Sequence, residues 1–112
     1  MEAELNDSKT AKKIYDTLPL TKPATAWGGE IYFEIPILSG LENPVTSVAS
    51  GDIAFWPPGS AFCIFFGPTP GSTDAEIRPA SAVTLVGKII GDPKTWVKVK
   101  EGDLVTVEKG QK

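Results

Sequence analysis

Apolar residues along the chain fall into short groups rather than long helical stripes, and the clearest of these alternate with a period of two. From Glu30 to Ile35, Ile31, Phe33 and Ile35 lie on one side and Glu30, Tyr32 and Glu34 on the other, as in a half-buried strand. Ala61 to Phe66 is almost wholly apolar and reads as a strand buried on both faces. Ile53 to Trp56, Ala82 to Ile90, Trp96 to Val99 and Leu104 to Val107 complete the main strand candidates, with shorter ones around Val45 to Ala49 and Glu76 to Arg78. One segment breaks the pattern. From Ser8 to Thr17 the chain predicts a helix, with Ala11, Ile14, Tyr15 and Leu18 on one face and Asp7 or Ser8 as N-cap. Pro19 stops it, because a proline disfavours the α conformation in the residue before it, and Thr21 to Ala26 reads as a connection.

The breaks between strands carry turn chemistry: Gly51-Asp52, Pro57-Pro58-Gly59, Pro68 to Gly71, Gly91-Asp92-Pro93 and Gly102-Asp103. Asp52, Asp92 and Asp103 each follow a glycine, where a carboxylate caps backbone N–H groups. Many short strands and one early helix predict a mainly β domain, a small barrel or sandwich closed on one side by the helix. No internal repeat or linker divides residues 1–112, so a single domain is expected, with residues 1–5 and 108–112 frayed.

Composition narrows the chemistry. A chain of 112 residues, 41% hydrophobic and 22% charged, is sized for one core. Net charge is -3 with scattered lysines, which gives no basic footprint for nucleic acid. No apolar stretch approaches the roughly 20 residues of a membrane span, and the start lacks a secretory pattern, so a cytoplasmic protein without membrane contact is expected. The chain contains no histidine, which excludes histidine-based nucleophile systems and histidine metal ligands. Its one cysteine, Cys63, rules out an internal disulfide and a multi-thiolate zinc site, and among Phe62, Ile64 and Phe65 it reads as inert core with a raised pKa. No metal and no cofactor are expected.

Three stretches carry a family resemblance: Trp27-Gly28-Gly29-Glu30-Ile31-Tyr32-Phe33, Gly51 to Gly59 with its Phe55-Trp56-Pro57-Pro58, and Cys63-Ile64-Phe65-Phe66-Gly67-Pro68-Thr69-Pro70. Glu76 to Ser81 and Val86 to Ile89 extend it. Together they resemble the small archaeal and bacterial cyclophilin-like domains. The resemblance implies a closed antiparallel β-barrel with the helix plugging one end, and no established activity. It also implies a strand preceding Glu2 to Leu5, so either the start is trimmed or the barrel is incomplete at that edge, and an open edge suits a homodimer as well as a monomer. The Phe-His-Arg and Gln-Phe-Phe motifs of cyclophilin prolyl isomerases are absent. Arg78, the only arginine, lies between Ile77 and Pro79 instead.

Six residues are candidates for a ligand site: Arg78, Trp56, Phe66, Phe62, Tyr32 and Glu30. The Arg78 guanidinium suits a carboxylate or peptide carbonyl, or else an ion pair with Glu30, Glu34 or Glu76. Glu30 and Tyr32 share a strand face that meets either a ligand or solvent. Trp56 before Pro57-Pro58 is part of a rigid turn, with a raised chance of a cis bond, or lines an apolar pocket with Phe62 and Phe66. Three functions are then open. The leading one is a binding module for a small molecule or proline-containing peptide, without strong catalysis. The others are a divergent peptidyl-prolyl isomerase, a reaction that needs no acid, base or nucleophile, and a structural subunit of a larger assembly.

Overall fold

A computed structural model of the chain describes residues 1–110. Its elements run β1 (Glu2–Leu5), α1 (Lys9–Thr17), β2 (Leu20–Pro23), β3 (Thr25–Ala26), β4 (Glu30–Glu34), β5 (Asp52–Trp56), β6 (Ala61–Phe65), β7 (Thr84–Ile90) and β8 (Leu104–Val107). Short 3-10 turns lie at Pro57–Gly59 and Pro93–Lys98. The fold is mainly β. One antiparallel sheet has the order β1-β7-β5-β6-β4-β3, and β2 and β8 form a separate two-stranded ribbon.

The helix begins where its cap predicts. The Ser8 hydroxyl accepts from the Ala11 N–H at 3.1 Å, and the chain leaves the helix at a cis Leu18–Pro19 bond. Ala11 and Ile14 are buried as expected, while Tyr15 is exposed under the Lys109 ammonium, 4.9 Å from its ring centroid. All five residues of β6 are buried, as an apolar run between two paired neighbours requires. The three turn aspartates act as caps, with Asp52 accepting from Ala49, Asp92 from Lys94 and Asp103 from Lys100.

Four expectations need correction. Residues 2–5 are not frayed: they pair with β7 from Glu2 opposite Ile90 to Leu5 opposite Gly87. That approach is close, since a Cβ on Gly87 would lie 2.4 Å from the Glu4 carbonyl oxygen. At the other end, Glu108 to Gly110 have no regular structure, and 111–112 lie outside the described residues. Thr21 to Ala26 is not a plain connection, because Leu20–Pro23 pairs with β8 and Thr25–Ala26 with β4. Trp96 to Val99 is not a strand. Pro93 opens a 3-10 turn whose N-cap is Asp92, and that local geometry overrides the apolar alternation. Finally, no ladder joins β1 to β3 among the described residues, so the sheet has two edges and the expected closure is not made by strand pairing. Glu76 to Arg78 and Val45 to Ala49 contribute only the isolated bridges Val48–Ile77 and Val45–Val83.

Two cores result, one on each face of the sheet. Ile31, Phe33, Ile53, Phe55, Phe62, Ile64 and Val86 pack with Ala11 and Ile14 of the helix and Val105 of the ribbon. On the opposite face Ala54, Ala61, Cys63, Phe65 and Val83 are covered by Val45, Val48 and Ile77 from the long loops, with Tyr32 and Trp56 at the margin. No helix is long and apolar enough to cross a membrane.

Candidate functional site

The alternation within each strand decides which candidate side chains meet. Glu30, Tyr32 and Glu34 share the loop-covered face of β4, and the register sets Tyr32 opposite Cys63 and Glu34 opposite Ala61. Ala61 is in turn opposite Trp56 of β5. Glu34, Ala61 and Trp56 therefore form one row across three strands, with the smallest side chain in the middle. That leaves a hollow beside the tryptophan.

The Trp56 ring is held on two sides. Its Nε1–H donates to the Ser81 hydroxyl at 2.7 Å, and its six-membered ring lies over Gly59, where a Cβ would come within 3.0 Å of Cζ3. Only glycine fits there without displacing the ring. Opposite this wall, β2 and β3 bring up Lys22, Pro23 and Thr25. The groove between the walls encloses about 550 Å³ and has Tyr32, Phe33, Glu34 and Ala61 along its floor and side. It combines two half-buried aromatic faces with an ammonium on one wall and a carboxylate on the other.

Of the six candidates, Trp56 and Tyr32 meet in this groove. Phe62 does not, because it faces the helix side of the sheet, stacked on Phe33 with ring centroids 5.2 Å apart. Phe66 packs against that same helix-side core. A single Trp56–Phe62–Phe66 pocket is thus divided by the sheet itself. Arg78 stands on the loop of residues 66–83, where its Nε pairs with the Glu76 carboxylate at 3.0 Å and both side chains are about half exposed. Its backbone is fixed by Ser72 and Thr69, and it does not line the groove.

Glu30 shares the face of Tyr32 but is buried, and burial pushes its carboxyl up to about 7, opposed by a hydrogen bond with Cys63. Burial, with Glu30 close by, drives the Cys63 thiol well above its usual value. Both lie beneath the loop-side core rather than in the groove. Among the described residues no group of three His, Cys, Asp or Glu is placed to hold a metal ion.

Lys22, Glu34 and Gly59 belong to the groove without being among the six. Glu34 was within reach, since it continues the Glu30–Tyr32 face by one step. Lys22 was not: it lies in a segment whose strand character comes from β8, some 80 residues away along the chain.

A second concavity of about 310 Å³ lies at the start of the helix, lined by Asn6, Asp7, Ser8, Glu42, Asn43 and Leu85. The Glu42 carboxylate spans it, accepting from the Lys9 and Thr10 N–H groups and the Thr10 hydroxyl at 3.0 to 3.1 Å. Those helix-start donors are therefore satisfied from within the chain.

A family model described as cyclophilin-like matches residues 1–108. Among solved structures, the solution structure of the hypothetical protein AF2241 from Archaeoglobus fulgidus is similar, with 38% sequence identity and a TM-score of 0.77. The match covers 96% of this chain and 85% of that one. No curated protein matches the sequence.

Proposed function

The chain belongs to the cyclophilin-like family, and from that premise we propose that it is a binding module whose ligand lies in the groove between β2 and β4. The observation that carries this reading is the fixed Trp56 ring. An aromatic wall braced by Ser81 and Gly59 and facing a concavity of this size is prearranged, so little order is lost when a ligand settles on it. Lys22 and Glu34 on opposite sides would orient a ligand that has both polar and apolar parts. We read the six-stranded sheet and the β2–β8 ribbon as parts of a cyclophilin-like barrel, with the ligand in the groove beside Trp56.

Binding without strong catalysis is favoured by the chemistry on hand. The buried thiol and the buried Glu30 carboxyl are both out of reach of the groove. Prolyl isomerisation needs no such groups, and it is separated from binding by the test itself.

Amide NMR titration with benzamide and with a short X-Pro peptide should move the signals of Lys22, Tyr32, Glu34 and the Trp56 indole N–H. Trp56→Ala should weaken binding about tenfold or more, as loss of a central aromatic anchor does. The cis–trans exchange of the peptide, followed by exchange spectroscopy, should stay at its free rate. Accelerated exchange would replace the binding reading with an isomerase, and shifts that ignore Trp56→Ala would remove the groove from consideration.

A further inference from the structure

Resting on that groove as the binding site, we propose that its ligand is a small organic cation, a methylated or protonated amine, whose charged nitrogen lies over Ala61 between the Trp56 ring and the Glu34 carboxylate. The argument starts from the order of the strands. β6 lies between β5 and β4, so Trp56 and Glu34 flank Ala61 in one row on one face of the sheet. Two strand spacings of about 4.8 Å set their backbones about 9.6 Å apart, and the side chain between them in that row is a single methyl.

Gly59 keeps the same hollow clear. It is not among the glycines of positive φ, so its backbone does not call for glycine. A Cβ there would lie 3.0 Å from Cζ3 of the Trp56 ring and 3.9 Å from the Ala61 Cβ, so any side chain at this position would enter the space where ring and methyl meet.

The charged and aromatic groups nearest the hollow favour a cation. The Glu34 carboxylate can only accept, and the rings of Trp56 and Tyr32, which line the groove, carry negative potential on their faces. Among the described residues the one ion pair is Arg78 with Glu76, so no basic side chain lies within 4.0 Å of the Glu34 carboxylate. Lys22 is the one positive charge of the groove lining. It belongs to β2, which leads directly into β3, and β3 pairs with β4 on the edge away from β6. Its strand therefore stands beyond Glu34 as seen from Trp56, at the far end of a ligand whose nitrogen lies over Ala61.

The dimensions suit one nitrogen engaging both walls. A cation is attracted to a ring from within about 6 Å of its centroid and to a carboxylate from within about 4 Å, and together these reaches match the separation of the two strands. The lining also selects the kind of cation. A metal ion takes several oxygen ligands, whereas Glu34 is the only carboxylate of the groove. Pro23, Phe33, Ala61 and the two rings offer apolar surface instead, which suits a charge clothed in methyl or methylene groups.

The test titrates the whole protein with choline and with its neutral analogue in which carbon replaces the nitrogen, following the Trp56 indole N–H and the Glu34 amide by NMR. Choline should bind about tenfold more tightly than the analogue, since the two differ in charge and hardly in shape. Glu34 is exposed, so Glu34→Gln leaves the core intact. That variant should weaken choline about fivefold and leave the analogue unchanged. Choline that binds no better than the analogue, or that ignores Glu34→Gln, would overturn the cation assignment, and benzamide binding in the same groove would show that the site itself stands. If choline, benzamide and the X-Pro peptide all leave the groove signals unmoved, the binding reading falls and the cation falls with it.

Discussion

Glu30 is the residue whose environment most departs from what its side chain would choose. A carboxyl at the start of a strand, in an alternating sequence, reads as solvent-facing, yet it is buried at 5% exposure. Its pKa of about 7 against an ordinary 4.5 sets a pH dependence with a definite sign. Below 4.5 the group is protonated in folded and unfolded chains alike, and it has no effect on their balance. Between 4.5 and about 7 the unfolded chain gives up its proton while the folded chain keeps it, so stability falls as pH rises. Above 7 the loss is complete, on the order of 3 kcal/mol at most. Glu30→Gln should therefore gain melting temperature over the parent protein as pH is raised from 5 to 8, and show little gain at 4. Thermal unfolding across that range checks it, and parallel curves for the two proteins would show that Glu30 does not titrate in this way. The same burial explains why the face of Glu30 was ambiguous in the sequence. Alternation tells which residues share a side, and only the covering loops decide whether that side is wet.

Elements with their own local signal were legible, and elements made by distant partners were not. The helix, with Ser8 as cap and Pro19 as stop, and the strands β4 to β8 follow from periodicity and turn residues at their edges. β1, β2 and β3 are short, the first two contain charges or proline, and all three exist because β7, β8 and β4 pair with them. Trp56 and Tyr32, which line the groove, lie on strands legible for the first reason, and Lys22 lies on one hidden for the second. The helix start shows the same dependence on distant chain. Backbone N–H groups of Lys9, first, and then Thr10 hold the Glu42 carboxyl below the usual carboxylate range, and this single side chain ties the loop after β4 to α1. A lowered pKa means that the contribution is present above 4.5 and is lost as pH falls through the folded value. Glu42→Gln should lower the melting temperature at neutral pH, and the gap to the parent protein should close under acid. A gap that persists unchanged in acid would mean that the amide replaces the carboxylate for reasons other than charge.

At the scale of the whole molecule, two units of pairing share the helix-side core. β5 and β6 have strands on both edges and bury Phe55, Phe62 and Ile64, whereas β2 and β8 pair only with each other and reach the core through Leu20, Val105 and Val107. A ribbon attached by fewer contacts should open before the sheet does. Native-state hydrogen exchange should therefore find the amides of Phe55, Phe62 and Ile64 released only by global unfolding, and those of Lys22 and Val105 released at a lower free energy. On the binding reading proposed above, this difference should respond to ligand, because Lys22 and Pro23 of the ribbon line the groove with Tyr32 and Glu34 of β4. A ligand in the groove would touch both ribbon and sheet and add its binding free energy to the cost of ribbon opening, so exchange at Lys22 and Val105 should slow as occupancy rises while the core amides change only as global stability does. Ribbon amides that already exchange together with the core in the free protein would mean that packing alone holds the ribbon to the sheet. The groove would then have to accept its ligand without any loosening of β2.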